Sequence, residues 1–177
     1  MKASNLEWRM YGMVPYNISE IQKGIQFGHA VVEYANEFGE TEAYKRWSKI
    51  DKTFIILNGG TTNTRTSLKD GMPFGSLNQH ELKLLAAVPE MPIARFVEPD
   101  LGDQLTAICF LVDERVWDRE KYPDFDFDKE SAGEAEILGG ESWETQYYNW
   151  KMKFSSSETG ADHIIWLRDF LRTFKLA

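Results

Sequence analysis

The sequence predicts an α/β domain in which helices cover the faces of a mixed β-sheet, and three observations carry that expectation. Short β-branched or aromatic runs alternate with stretches of helical period, giving the order β-α-α-β-α-β-β over the first two thirds of the chain. The last two runs are joined by Pro99-Asp100-Leu101-Gly102, a turn short enough for an antiparallel hairpin. The 177 residues are 42% hydrophobic, which suits one core with an appendage and not two full domains.

Trp8 to Val14 alternates large apolar residues with Arg9, Tyr11 and Met13, then meets Pro15 and Asn17, as a strand running into a loop does. Ser19, with Gln22 three residues on, reads as a capping box and starts a helix through about Tyr34. Ile21, Ile25, Gly28, Val32 and Ala35 recur at steps of four and three, and Phe27, Val31 and Tyr34 widen that surface, so the helix is expected to be largely buried. Gly24 and Gly28 each cost about 1 kcal/mol against alanine in a helix. Close packing of this helix on the sheet is the expected reason for them. Gln22, Gln26, His29 and Glu33 remain as a polar edge at steps of four, three and four, and that edge is the first site candidate.

Thr41 is expected to cap a second, short helix to about Lys49, with Tyr44 and Trp47 on its inner side. Thr53 to Leu57 is almost wholly apolar and reads as a central strand covered on both faces. The loop after it, Asn58 to Ser67, is dense in glycine and hydroxyls and carries one cation, Arg65. It reads either as ordinary turn chemistry or as a phosphate cradle using Asn58, Thr61, Thr62 and Arg65. The lack of a Walker or Gly-x-Gly-x-x-Gly pattern favours the turn. Ser76 with Gln79 repeats the capping box before a leucine-rich helix that ends near Pro89, with His80 facing solvent. Strands at Ile93–Glu98 and Leu105–Val112 close the domain, which is expected to span 1–112.

Residues 113–160 are expected to wrap the surface, because 113–136 alone holds ten acids against four bases and cannot form a core by itself. Asp124, Asp126 and Asp128 resemble the start of a calcium loop, but Lys129 stands where the turn needs glycine, so no metal is expected. Trp143, Tyr147, Tyr148 and Trp150 could form a stacking platform, yet no basic groove accompanies them and packing is favoured. Residues 161–177 form an amphipathic helix through Ile164, Leu167, Leu171 and Phe174, able to dock on its own sheet or on a second subunit as a homodimer. The one cysteine, Cys109, lies in an apolar run and reads as a core thiol.

A formal net charge of −8 argues mildly against nonspecific nucleic-acid binding. No apolar run reaches the roughly 18 residues of a membrane span, and the start lacks the apolar segment of a signal peptide, so a cytoplasmic protein with no membrane partner is expected. HExxH, cysteine-pair and Gly-x-Ser-x-Gly patterns are absent, which removes the support for metalloprotease, zinc-module and esterase readings. No cofactor is implied. What remains is the edge Gln26, His29 and Glu33 with Asp100 and Thr106 of the hairpin. In that set His29 is the natural proton carrier near neutral pH, and Glu33 one turn on can orient it. A histidine that is merely satisfied beside a surface glutamate is the plainer alternative.

The run KGIQFGHAVVEY after a first strand, the short Tyr44–Trp47 helix, the buried strand, the leucine helix and the hairpin VEPDLGDQLTAI resemble the peptidyl-tRNA hydrolase type 2 family over residues 8–112. The resemblance implies a three-layer domain, a four-stranded mixed sheet between helices, often dimeric, that releases peptide from tRNA by ester hydrolysis. It implies catalytic roles for Gln26, His29, Asp100 and Thr106, and the polar edge of the same helix, Gln22 and Glu33 with Lys23 nearby, is expected beside the ligand. The family's lysine at the start of the first helix corresponds here to Glu20 or Gln22, and Lys23 is the nearest base. The whole chain also resembles uncharacterised proteins of tailed bacteriophages, which implies work in a host's cytoplasm on a tRNA or nucleotide-like ligand. The alternative is a noncatalytic protein that grips a host protein or sequesters a small signal.

Overall fold

Both hydroxyl caps read in the first 50 residues are present, and they set where the opening helices begin. The structure, a computed structural model, describes residues 5–61, 68–69, 72–73, 77–126 and 141–177. Thr62, Arg65, Ser76, Asp128 and Lys129 therefore lie outside the described residues. Ser19 Oγ accepts from Gln22 N at 3.2 Å while Gln22 Oε1 accepts from Ser19 N at 3.3 Å, and α1 runs Glu20–Phe38 behind this box. Thr41 caps α2 (Glu42–Arg46), which continues as one wider π turn, Trp47–Asp51, to Lys52 in the left-handed region at φ 55°.

The main sheet has four strands in the order β2-β1-β6-β5: β1 (Trp8–Val14), β2 (Thr53–Asn58), β5 (Ile93–Glu98) and β6 (Gln104–Asp113). β1 and β2 are parallel, and the other neighbours are antiparallel, so the sheet is mixed. The turn between β5 and β6 is a 3₁₀ segment, Pro99–Leu101, closed by Gly102 at φ 70° and Asp103 at φ 57°. A separate two-stranded ladder pairs β3 (Leu68–Lys69) with β4 (Met72–Pro73).

Helices lie on both faces, as the α/β fold requires. Gly12 of β1 faces α1 and has no side chain for a reason: a Cβ there would overlap the Phe27 ring. Met13, the next residue, points the other way and meets, across Gly59, the Leu77 end of α3 (Leu77–Ala87). On the α1 side Phe27, Ala30, Tyr34 and Trp47 pack with Met10, Val14, Ala94, Ala107, Cys109 and Leu111. Cys109 is a buried core thiol whose sulfur lies 3.2 Å from the Ala30 carbonyl, and burial pushes its pKa well up.

Three local expectations change. β2 is an edge strand, not a central one, and Phe54 is half exposed. Its run reads as central because the outer edge is covered by the chain's end: Asn58 N donates to Lys175 O and Ala177 N to Ile56 O, both at 2.9 Å. His80 does not face open solvent; its ring meets Phe174 edge-on at 4.8 Å, and desolvation, then Lys83, lowers its pKa. The third change is the face that α1 buries. Gln26, Phe27, Ala30 and Tyr34 point inward, whereas Ile21, Ile25 and Val32 are 77%, 50% and 56% exposed. A Cβ at Gly24 or Gly28 would meet nothing, so these glycines permit no close packing.

By internal contacts the chain divides into Met1–Glu114 with Leu171–Ala177, and Arg115–Phe170. The second unit includes α4 (Trp143–Lys151) and most of α5 (Glu158–Arg172), and Tyr122, Phe154 and Ala161 form a small core there with Trp150, Ile164 and Ile165. Arg168 is buried there, donating to the carbonyls of Arg115 and Tyr122 and pairing with Asp124 at 2.8 Å. Tyr147 and Trp150 stack at 5.5 Å and pack with Phe125, while Trp143 and Tyr148 stay about half exposed. Among the described residues no helix is long and apolar enough to cross a membrane.

Candidate functional site

A cavity of about 200 Å³ opens where the first turns of α1 meet the β5–β6 hairpin. Ile18, Gln22 and Gln26 line it from the helix side, Glu98, Asp100 and Leu101 from the turn, and Thr106 from β6. Four residues singled out in the sequence, Gln22, Gln26, Asp100 and Thr106, thus come together from α1 and from a hairpin more than seventy residues further along the chain.

A β-bulge aims Thr106. Phe96 pairs with Ala107 and Val97 with Leu105, so Thr106 is the extra residue on β6, and the irregularity turns it toward α1 against the alternation of its strand. Fully buried, it donates its hydroxyl to Gln26 Oε1 at 2.6 Å. Gln26, itself only 8% exposed, donates Nε2 to Glu98 Oε2 at 2.8 Å. Hydroxyl, amide and carboxylate thus form one directed chain. Because the Glu98 carboxylate can only accept, the amide nitrogen must face it, which turns the amide oxygen to the Thr106 hydroxyl and fixes the orientation of Gln26.

Glu98 is the functional residue that the motif reading missed. Ala94, Phe96 and Glu98 are alternate residues of β5, and the first two pack toward α1, so period two alone carries Glu98 to the helix. Its other carboxylate oxygen has no partner among the described residues, and Asp100, exposed in the 3₁₀ turn, has none either. Gln22 Oε1 is taken by the capping box, which leaves its NH₂ to the cavity. Among the described residues the lining therefore carries two carboxylates and no lysine, arginine or histidine.

The other sequence candidates lie elsewhere. His29 is exposed and stacks flat on Phe96, with ring centres 4.4 Å apart, one turn beyond the lining; it makes no hydrogen bond with Glu33, which is exposed. Lys23 is held by Glu20 at 2.9 Å. Asn58 Oδ1 accepts from Gly60 N at 3.0 Å, Tyr16 N donates to Gly60 O at 2.8 Å, and the Thr61 carbonyl accepts from Leu77 N. Those contacts tie the end of β2 to its neighbours, which is turn chemistry. Among the described residues no three His, Cys, Asp or Glu side chains gather as metal ligands.

No protein-family model matches the chain, and no curated protein matches it.

Proposed function

We propose that the cavity between α1 and the β5–β6 hairpin is the ligand site of a peptidyl-tRNA hydrolase type 2-like protein working in a host's cytoplasm, and that it receives the ester-bearing end of an RNA-derived or nucleotide-like molecule. The observation that carries this reading is the convergence of Gln26, Asp100 and Thr106 on one open cavity. For hydrolysis, water attacks the ester carbonyl carbon and the acyl C–O bond breaks. Asp100 takes the water's proton and passes it to the leaving ribose oxygen, while Gln26 and Thr106 hold the wall against which the acyl group rests. His29, one turn away, receives the proton only if the ligand brings its ester out over Phe96. Release of labelled acyl group from aminoacyl- or peptidyl-tRNA tests this. Turnover lost in Asp100→Asn and largely kept in His29→Gln is expected, and no release at stoichiometric protein would sink it.

A second reading, a noncatalytic protein that grips a host protein or pairs with its own copy, is supported by the open apolar stripe Ile21, Ile25 and Val32 on α1. It predicts capture of a partner that Ile25→Lys abolishes and Asp100→Asn does not.

A further inference from the structure

We propose that the group this cavity accepts is a primary ammonium, the free α-amino end of an aminoacyl group, and not a phosphate. The inference rests on the cavity being a ligand site and adds the chemical class of its occupant. A volume of about 200 Å³ falls below the roughly 300–1,000 Å³ of pockets for drug-sized ligands. An amino-acid-sized group fits it, and a nucleotide does not. The free acceptors in its wall are the second oxygen of Glu98 and the whole carboxylate of Asp100, while Thr106 and the Gln26 oxygen are spent on each other. A group rich in donors satisfies such a wall. An anion leaves two carboxylates facing a third charge of the same sign. Ile18 and Leu101 provide apolar surface for the carbon side of the ligand.

Among the described residues the groups nearby that attract an anion are the Gln22 NH₂, a neutral donor, and the N-terminus of α1, which is already answered. The Ser19 hydroxyl takes the Gln22 amide, and Glu20 sits in the first turn. Lys23, the closest cation of the helix, is turned onto Glu20 and is not part of the lining. The site therefore reads the acyl end of a ligand by its charge, and any phosphates stay outside.

The test is calorimetric titration of the full chain with four probes: a 3′-aminoacylamido adenosine with a free α-amine, its N-acetyl form, alaninamide, and inorganic phosphate. The expected result is that the free-amine nucleoside and alaninamide bind and phosphate does not. N-acetylation is expected to weaken the nucleoside at least tenfold, and Asp100→Asn, at an exposed site that folding tolerates, to remove most of that difference. Glu98→Gln keeps the acceptor for Gln26 and is expected to do the same. If alaninamide binds and neither nucleoside binds, the ammonium class stands and the RNA-derived ligand falls. Equal binding of the two nucleosides keeps the ligand site and overturns the ammonium class, as does any binding of phosphate. If no probe binds, both are overturned.

Discussion

The two sides of α1 have similar composition and opposite fates. Phe27, Ala30 and Tyr34 pack against the sheet, whereas Ile21, Ile25, Gly28 and Val32, half a turn round, face outward and are exposed. The lesson is that helical period identifies an apolar stripe but not which of two stripes the fold covers. What decides is the partner surface: Gly12 leaves a notch in the sheet that a Phe27 ring fills, and no isoleucine of the outer stripe has such a counterpart.

The largest effect expected from breaking the contrast is at that notch. Phe27→Ala empties the contact between Gly12 and Phe54 and should cost about 3–5 kcal/mol of stability in urea unfolding, as for other buried aromatic truncations. Gly12→Ala should cost about 1–3 kcal/mol by overpacking. In the Phe27→Ala background it should cost much less, because the atoms it strikes are gone.

Next comes alkaline pH, which reaches the inner side through Tyr34 and Cys109. Burial raises the pKa of Tyr34, with Cys109 adding to it, and burial raises that of Cys109. The folded chain therefore keeps both protons where the unfolded chain sheds them, so stability is whole below the unfolded thiol and phenol values, about 8.5 and 10. It then falls by about 1.4 kcal/mol per pH unit for each group above its own value. Cys109→Ala should remove the earlier part of that loss, read from unfolding curves between pH 8 and 10.5.

Thr106→Val is the third step down. It keeps the shape but leaves Gln26 Oε1 buried without a donor, at a cost of about 1–3 kcal/mol. It also leaves Gln26 held by Glu98 alone, so any ligand binding in the cavity should weaken together with stability.

Much of this architecture was legible in the residues. Trp8–Val14 and Ile93–Glu98 are strands over the spans that their alternation and turn signals mark, and Ser19 with Gln22 caps α1 as its spacing requires. The four-stranded mixed sheet with helices on its faces follows from that order. Other features depend on contacts that local pattern does not encode. Thr53–Leu57 is apolar like a central strand because residues 175–177, more than a hundred positions away, cover its edge. Thr106 turns inward through a bulge, one residue out of step with its strand. Glu98 was within reach, since Ala94 and Phe96 set its parity, but an acid beside a proline reads first as turn chemistry. Of the polar edge that the spacing marks on α1, Gln22 and Gln26 line the cavity while His29 rests on Phe96.

The smallest effects belong to the outer face, where the sign carries more information than the size. Gly24→Ala and Gly28→Ala place a methyl group in open space within a helix, so each should raise stability by about 1 kcal/mol. A loss instead would mean that something packs there in solution. Ile21→Lys and Ile25→Lys should move stability by no more than about 0.5 kcal/mol. They exchange an exposed isoleucine for a charge without opening a hole, so a stripe left bare in solution gives the same elution volume before and after. If the wild-type chain instead elutes as a larger species that Ile25→Lys converts to the monomer, the outer stripe is itself a covered face, and the difference between the two sides of α1 becomes one of partner, the sheet for one and a second chain for the other.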